Sequence, residues 1–250
     1  MAGHNKWSKV KHIKARVDAI KGRVFSKCAH EIALAARAGG GDPSANARLR
    51  TAIDSAKAAS MPKDNIDRAV KKGTGELGGD AIQEVIYEGY GPEGIAFMVA
   101  MVTDNLNRSA ADVRSIFYKN NGTVATQGSV AFQFDHKGEI LIPLDAIDDA
   151  GLMDIAIEAG ADDVYRDEDG HALHTAPNAL GTVAMHLRSA GLPIASEKLI
   201  FIPQIPAVVT DPAIARQVLK LHDQLDEYQD TVSVFTNFEV ADEVLDLLEV

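Results

Sequence analysis

The hydrophobic pattern of this chain changes period once, near residue 81, and that change limits it to folds with separate helical and sheet-containing parts. Before the change, Val24, Cys28, Ile32 and Ala35 lie four, four and three residues apart, one face of a helix over residues 21–38. Gly39-Gly40-Gly41 ends that helix. Asp42 and Pro43 are expected to cap and open a second, with Leu49, Ile53 and Ala56 as its buried stripe. Pro62 opens a third, lined by Ile66, Ala69 and Val70 and stopped at Gly73. After the change come short β-rich runs between turn residues: 85–87, 96–103 and 130–134. A helix between the last two buries Val113, Ile116 and Phe117, with Ser109 and Asp112 as its expected capping box.

From residue 139 the order is strand (139–142), helix (153–159), strands near Val164 and Leu173, helix (178–190) and strand (197–202), a ferredoxin-like succession. Pro203 and Pro206 bracket a linker. Beyond it, a strand at 207–209, a helix at 212–224 and a strand at 231–235 supply the second helix and final strand that the first β-rich segment lacks. The expected fold is therefore α+β and multidomain: an N-terminal three-helix bundle in residues 1–80, followed by two ferredoxin-like α+β domains, one inserted in the other. The discontinuous domain takes residues 81–135 plus 205–250 and the inserted one residues 136–204. Residues 239–249 read as a last helix or an acidic tail, and the glycines of 73–79 as a hinge.

Charge divides at the same place. The net charge is −11, yet residues 1–80 hold 16 Lys and Arg against 8 Asp and Glu, while residues 81–250 hold 9 against 28. A basic end on an acidic remainder points to a polyanion partner. With 250 residues, 46% of them hydrophobic, the chain has core material enough to fold without staples, and the single Cys28 cannot form an internal disulfide. That lone thiol, with no long apolar run, predicts a cytoplasmic protein with no membrane partner.

The motifs that would carry chemistry are weak. Gly73-Thr74-Gly75-Glu76-Leu77-Gly78 has the G-x-G-x-x-G spacing of a dinucleotide site, but it follows a helix instead of a strand, so it reads as a linker. His171 and His174 are three apart, as zinc ligands can be, but lack further ligands nearby; they read as a solvated turn beside Asp167, Glu168 and Asp169. Cys28 falls on an apolar helix stripe, where a free thiol packs as a small hydrophobe. No catalytic residue, metal, cofactor or small-molecule substrate is expected.

The basic arm differs in quality. Lys6, Lys9, Lys11, Lys14, Arg16, Lys21, Arg23 and Lys27 place eight cations in 22 residues against one acid, Asp18, with His4, Trp7 and His12 interleaved. Such a segment neutralises several phosphates at once and binds in a salt-dependent way, and Trp7 offers a ring for stacking on an unpaired base. The candidate nucleic-acid-binding residues are thus Lys6, Trp7, Lys9, Lys11, His12, Lys14, Arg16, Lys21, Arg23, Lys27, Arg48 and Arg50, with Lys63, Arg68, Lys71 and Lys72 extending the patch. A merely solvated tail, with Trp7 anchored on the bundle, is the alternative.

The opening Ala2-Gly3-His4-Asn5-Lys6-Trp7, followed by Val10-Lys11-His12, closely resembles the start of the YebC/PmpR family. The resemblance runs the full length. It returns at Gly39-Gly40-Gly41-Asp42-Pro43 with Asn46, Arg48, Leu49 and Arg50, at Tyr87-Glu88-Gly89-Tyr90-Gly91-Pro92, at Thr103-Asp104-Asn105 with Asn107-Arg108, and at Gly128-Ser129-Val130. Asn5 stands where serine is usual, Ile13 where a basic residue is common and Ser109 where threonine is common. The resemblance implies a helical bundle with two α+β domains and a role in gene expression without known catalysis. Two targets stay open: DNA, as a transcriptional regulator, or ribosomal RNA, as a ribosome-associated translation factor that relieves stalling. A contrasting reading is an enzyme with its site between the α+β domains, using Tyr87, Tyr90, Asp104, Asn105 and Arg108, and a third is a protein adaptor using the acidic domains.

Overall fold

The computed structural model describes residues 17–78, 82–166 and 170–248 and forms two compact units. One contains the chain up to Gln133 and again from Pro203; the other is Phe134–Ile202.

The first unit begins with helices α1 (Val17–Gly39), α2 (Ala47–Ala58) and α3 (Lys63–Thr74). Ile32, Ala35 and Ala36 of α1 meet Leu49, Ala52, Ile53 and Ala56 of α2 and Ile66 and Ala69 of α3 in one apolar cluster, with Cys28 and Val70 at its margin. Burial raises the Cys28 thiol pKa, as expected of an inert packing thiol. Small residues let the helices approach closely. At Gly73 a Cβ would stand 2.3 Å from the Ala33 carbonyl oxygen, so only glycine permits α3 to cross α1 there. The helix therefore passes through Gly73, and ends instead at Gly75, which takes the left-handed φ of +80°.

The start of α2 also differs from expectation. Asp42 accepts from the Ser44 backbone N–H (2.8 Å) and hydroxyl (2.7 Å), closing a turn. The cap is Asn46, whose side-chain oxygen accepts from Leu49 N–H at 3.0 Å while its amide donates to the Ala35 and Gly40 carbonyls.

The sheet domain of this unit follows with β1 (Gln83–Tyr90), β2 (Ala96–Thr103), α4 (Leu106–Lys119) and β3 (Thr123–Val124). It is completed after residue 203 by β8 (Ala207–Val209), α7 (Pro212–Asp226), β9 (Thr231–Thr236), β10 (Phe238–Val240) and α8 (Asp242–Leu248); β4 to β7 and helices α5 and α6 belong to the second unit. The sheet order is β3-β1-β2-β9, antiparallel throughout, and β8 and β10 form a separate parallel pair. The acidic C-terminal segment is thus a short strand and a helix. Strand β2 reads as an unbroken apolar run because both its faces are covered. Phe97, Val99 and Met101 join the core with Val113 and Phe117 of α4 and Val218 and Leu221 of α7, while Val102 meets Ala33 and Leu34 of α1. That last cluster, which also contains Ile82, bridges bundle and sheet directly, so the glycine stretch expected to act as a hinge is bypassed by packing.

Two local expectations fail here. Helix α4 is capped by Asn105, which accepts from Arg108 N–H at 3.0 Å; Ser109 is buried one turn in and hydrogen-bonds the Tyr87 hydroxyl at 2.9 Å. Residues 130–133 are not strand. Glu88, only 4% exposed, accepts from the N–H groups of Gly128 (2.6 Å), Val130 (2.6 Å) and Ala131 (3.0 Å), leaving those donors unable to join a ladder.

The second unit runs β4 (Phe134–Ile142), α5 (Asp149–Ala159), β5 (Asp163–Arg166), β6 (His171–Thr175), α6 (Leu180–Ser189) and β7 (Ser196–Pro203). Its sheet order is β5-β6-β4-β7, the ferredoxin-like arrangement, with Ile140, Ile142 and Leu173 packed under Leu152, Val183, Ala184 and Leu187.

Candidate nucleic-acid interface

The bundle presents cations from all three helices, and their surroundings divide them. Lys6, Trp7, Lys9, Lys11, His12, Lys14 and Arg16 lie outside the described residues; Lys21 and Arg23 fall within α1. Lys27 of α1 is paired to Asp226 at the end of α7. Arg48 of α2 holds Glu31 of α1 at 2.9 Å, and Arg50 donates to the Pro43 and Ser44 carbonyls at 3.0 and 2.9 Å, bracing the turn before α2. Lys72 of α3 reaches Asp104 at 3.0 Å. Arg37, Lys63, Arg68 and Lys71 are exposed and, among the described residues, make no ion pair. Arg68 and Lys71, three apart on α3, share one face.

Where the bundle meets the sheet domain, the polar groups form a network. Arg108 donates to Asp230 at 2.7 Å and to Asp104 at 3.1 Å, and Thr103 donates to Asp230 at 2.9 Å. Lys72 holds Asp104 below the usual carboxylate range. Asp230 drives the Arg108 pKa upward. His30 of α1 faces this network. Burial lowers its pKa, against the opposing pull of Asp230, and its Nδ1 has no hydrogen-bond partner. The pairing of Asp226 with Lys27 of the bundle, and of Asp230 with Thr103, is not legible in the sequence, because 199 and 127 residues separate the partners in the chain.

The residues weighed for an enzyme are spent on structure. Tyr87 binds Ser109, the Tyr90 hydroxyl donates to the Ser129 carbonyl at 2.6 Å, Asn105 caps α4, and Asp104 and Arg108 belong to the ion network. A cleft of about 430 Å³ in the first unit is lined by Leu34, Arg37, Ala38, Gln83 and Glu84 and brings together one cation and one carboxylate.

His171 and His174 also differ from expectation. They are not in a solvated turn: both sit on β6, 2% and 7% exposed, facing opposite sides of the sheet. His171 approaches Asp149 and His174 approaches Glu139 at 3.6 Å. Burial would raise the Glu139 pKa, but His174 and Lys198 outweigh it and bring it down to about 2. Among the described residues no group of three or more His, Cys, Asp or Glu could hold a metal ion, and no helix is long and apolar enough to cross a membrane.

A basic three-helix bundle joined to a sheet domain that carries a ferredoxin-like insertion defines a class of multidomain α+β protein. Residues 5–76 match the TACO1/YebC protein N-terminal domain and residues 82–238 the TACO1/YebC second and third domain, so the chain belongs to the TACO1/YebC family. A relative from Akkermansia muciniphila is 53% identical over 99% of this chain and 100% of its own, and one from Opitutus terrae 50% identical over 98% and 99%. Both are described as probable transcriptional regulatory proteins. The crystal structure of a conserved hypothetical protein from Aquifex aeolicus, 44% identical, covers 93% of this chain and 96% of its own with a TM-score of 0.79.

Proposed function

We propose that this protein is a cytoplasmic, nucleic-acid-binding regulator of gene expression, whose N-terminal domain supplies Lys and Arg contacts to phosphates and which performs no catalysis. The observation that carries the reading is charge segregation: a net +8 in residues 1–80 against −19 in the rest, with Arg68 and Lys71 exposed and unpaired on one face of α3. The full-length relatives described as probable transcriptional regulatory proteins support regulation, and DNA is the first target to test.

A second reading, binding of ribosomal RNA as a translation factor, is favoured by one observation. The arginines of α2 that could read base edges, Arg48 and Arg50, are engaged by Glu31 and by backbone carbonyls, and the remaining bundle cations suit positioning on phosphates more than reading a sequence. The test is binding to duplex DNA and to purified ribosomes across a salt series, with a variant in which Lys6, Lys9, Lys11 and Lys14 are all glutamine. Tight, sequence-preferring DNA binding that survives competitor makes it a transcription regulator. Ribosome binding near physiological salt, lost in the variant, makes it a translation factor. Indifference of both to the variant removes the arm from the mechanism.

A further inference from the structure

Strand β1 is paired along its whole length on one side and only at its end on the other. All 8 of its residues lie opposite β2 in unbroken register, whereas β3 takes only Gly89 and Tyr90. Backbone direction alternates along an antiparallel strand, and two bonds fix its phase here. The Gly91 N–H donates to the Ile95 carbonyl at 2.8 Å, so odd-numbered residues turn to β2; the Ala125 N–H donates to the Glu88 carbonyl at 2.8 Å, so even-numbered residues turn outward. After Ala125 the chain leaves in a turn in which Ser129 N–H donates to the Thr126 carbonyl at 3.1 Å. Among the described residues no strand meets the outward N–H and C=O groups of Glu84 and Ile86. Sheet edges are ordinarily blunted by proline, lysine, a bulge or a covering element, and residues 83–87 carry none of the first three.

Side chains give this edge a direction. Val85 and Tyr87 pack on the core that α4 covers, while Ile82 meets Leu34 of α1, so Glu84 and Ile86 stand on the α1 side of the sheet. Both are exposed, Ile86 by 43%. At the Gln83 end the same side opens into the cleft of about 430 Å³ lined by Leu34, Arg37, Ala38, Gln83 and Glu84. Arg37 and Glu84 border this space without forming an ion pair, over an apolar surface from Leu34 and Ala38. An antiparallel strand laid along the edge takes up the line of β3 where the chain leaves it and runs towards Gln83, so its C-terminus arrives at the cleft.

We propose that the outer edge of β1 and this cleft together take the C-terminal segment of a partner protein, added to the sheet as an antiparallel strand. The outward N–H and C=O groups of Glu84 and Ile86 supply the main-chain hydrogen bonds that give strand addition its affinity, and alternate side chains give it specificity. The last side chain of the segment is apolar and sits on Leu34 and Ala38, and its terminal carboxylate meets Arg37. Residues opposite one another in a ladder share a face, so a basic residue two positions earlier stands beside Glu84 and an apolar one four positions earlier beside Ile86. A phosphate backbone meets Arg37 but is repelled by Glu84 and cannot answer the strand's main-chain groups. The surface is therefore separate from the nucleic-acid reading and does not depend on it.

The test uses the full chain and fluorescence anisotropy with a labelled decapeptide ending in valine, threonine, lysine, serine and valine, made as the free acid and as the C-terminal amide. The free acid is expected to bind and the amide to bind about tenfold more weakly, because the charge-assisted contact to the carboxylate is lost. Arg37→Gln is expected to weaken the free acid about tenfold and to abolish the difference between acid and amide. Glu84→Gln is expected to weaken it about threefold, and to have no effect on a peptide with glutamine in place of the lysine. Ile86→Pro deletes an outward N–H without touching the bonds to β2 and is expected to remove binding, and peptide saturation is expected to slow amide exchange at Glu84 and Ile86. Arg37 and Glu84 are exposed, so thermal unfolding of those two variants is expected to match the unaltered protein. No binding of the free acid at millimolar concentration, or equal binding of acid and amide that ignores Arg37→Gln, overturns the proposal. A dimer that Ile86→Pro dissolves, with no peptide bound, assigns the edge to a second copy of the chain and overturns it as well.

Discussion

The sheet domain and the inserted unit are each built on a four-stranded sheet and differ in how they settle their charges. In the inserted unit even the partly buried carboxylate Glu139 is answered by side chains, His174 and Lys198. In the sheet domain the buried carboxylate Glu88 is answered by backbone N–H groups, and Arg114, Lys119 and Arg216 make no ion pair among the described residues. A unit that neutralises itself internally has little electrostatic reason to attract a polyanion; one that leaves cations unmatched does. Net charge, strongly negative over both, is therefore a poor guide to where an anion would bind.

The comparison is sharpened most by acid. Burial holds the His222 pKa at about 4, below its ordinary 6.5, with Asp226 and Asp223 opposing it, so His222 enters the folded sheet domain neutral. Unfolding lets it protonate; its contribution is complete above pH 6.5 and is lost as pH falls towards 4. Glu139, at about 2 against an ordinary 4.5, contributes fully above pH 4.5 and loses its contribution as pH falls towards 2. The His222 shift is worth on the order of 3 kcal/mol, and that of Glu139 is reduced by solvent screening of the half-exposed Lys198 to about 1 kcal/mol. Amide exchange followed against pH should therefore show the sheet domain loosening first and the inserted unit only in stronger acid. The reverse order would break the contrast.

Somewhat smaller is the effect expected of Glu88→Gln, which keeps one acceptor oxygen but turns its NH2 towards at least one of the three backbone donors and should cost about 2 to 3 kcal/mol by denaturant unfolding. Glu139→Gln should cost only about 1 kcal/mol, because Lys198 is half exposed and returns to water. Equal losses would mean that the two carboxylates do the same work. Gly89→Ala probes helix-on-sheet packing: its Cβ would lie 2.6 Å from the Phe117 ring, and a loss of about 1 to 3 kcal/mol in thermal unfolding is expected. Least of all, Arg166→Gln removes an exposed pair with Asp149 and should change stability by about 0.5 kcal/mol or less, with nucleic-acid affinity unaltered.

What was legible in the sequence was whatever local periodicity decides. The three bundle helices, the strand at 96–103 and the βαββαβ order of the inserted unit follow from apolar spacing and turn residues, and they are present. What escaped depends on partners far along the chain. Residues 130–134 alternate like a strand, yet Glu88, some 42 residues earlier, takes their N–H groups, and Phe132 ends 70% exposed. Asp42 and Asn46 are both plausible caps; the choice falls to Asn46 because its amide also reaches Ala35 on the preceding helix. His171 and His174 looked solvated beside an acidic run, but β6 is a central strand on which His171 turns towards Asp149 at the start of α5 and His174 packs beside Tyr165 and Glu139 of the two neighbouring strands. For the candidate interface, sequence identified the cations but could not tell Arg68 and Lys71, left exposed, from Lys27 and Lys72, claimed by Asp226 and Asp104.

The Glu88 carboxylate also says something about heredity. It grips the loop after β3 by main-chain N–H groups, which nineteen of the twenty amino acids supply alike, so the loop's side chains at Gln127 or Ala131 can drift without loosening it. Proline is the exception. At Ala131 it would delete a donor outright, so a lineage exploring the less buried positions of this loop is barred from that one residue more strictly than from a change of size, charge or polarity, whereas Val130 is held by its burial as well.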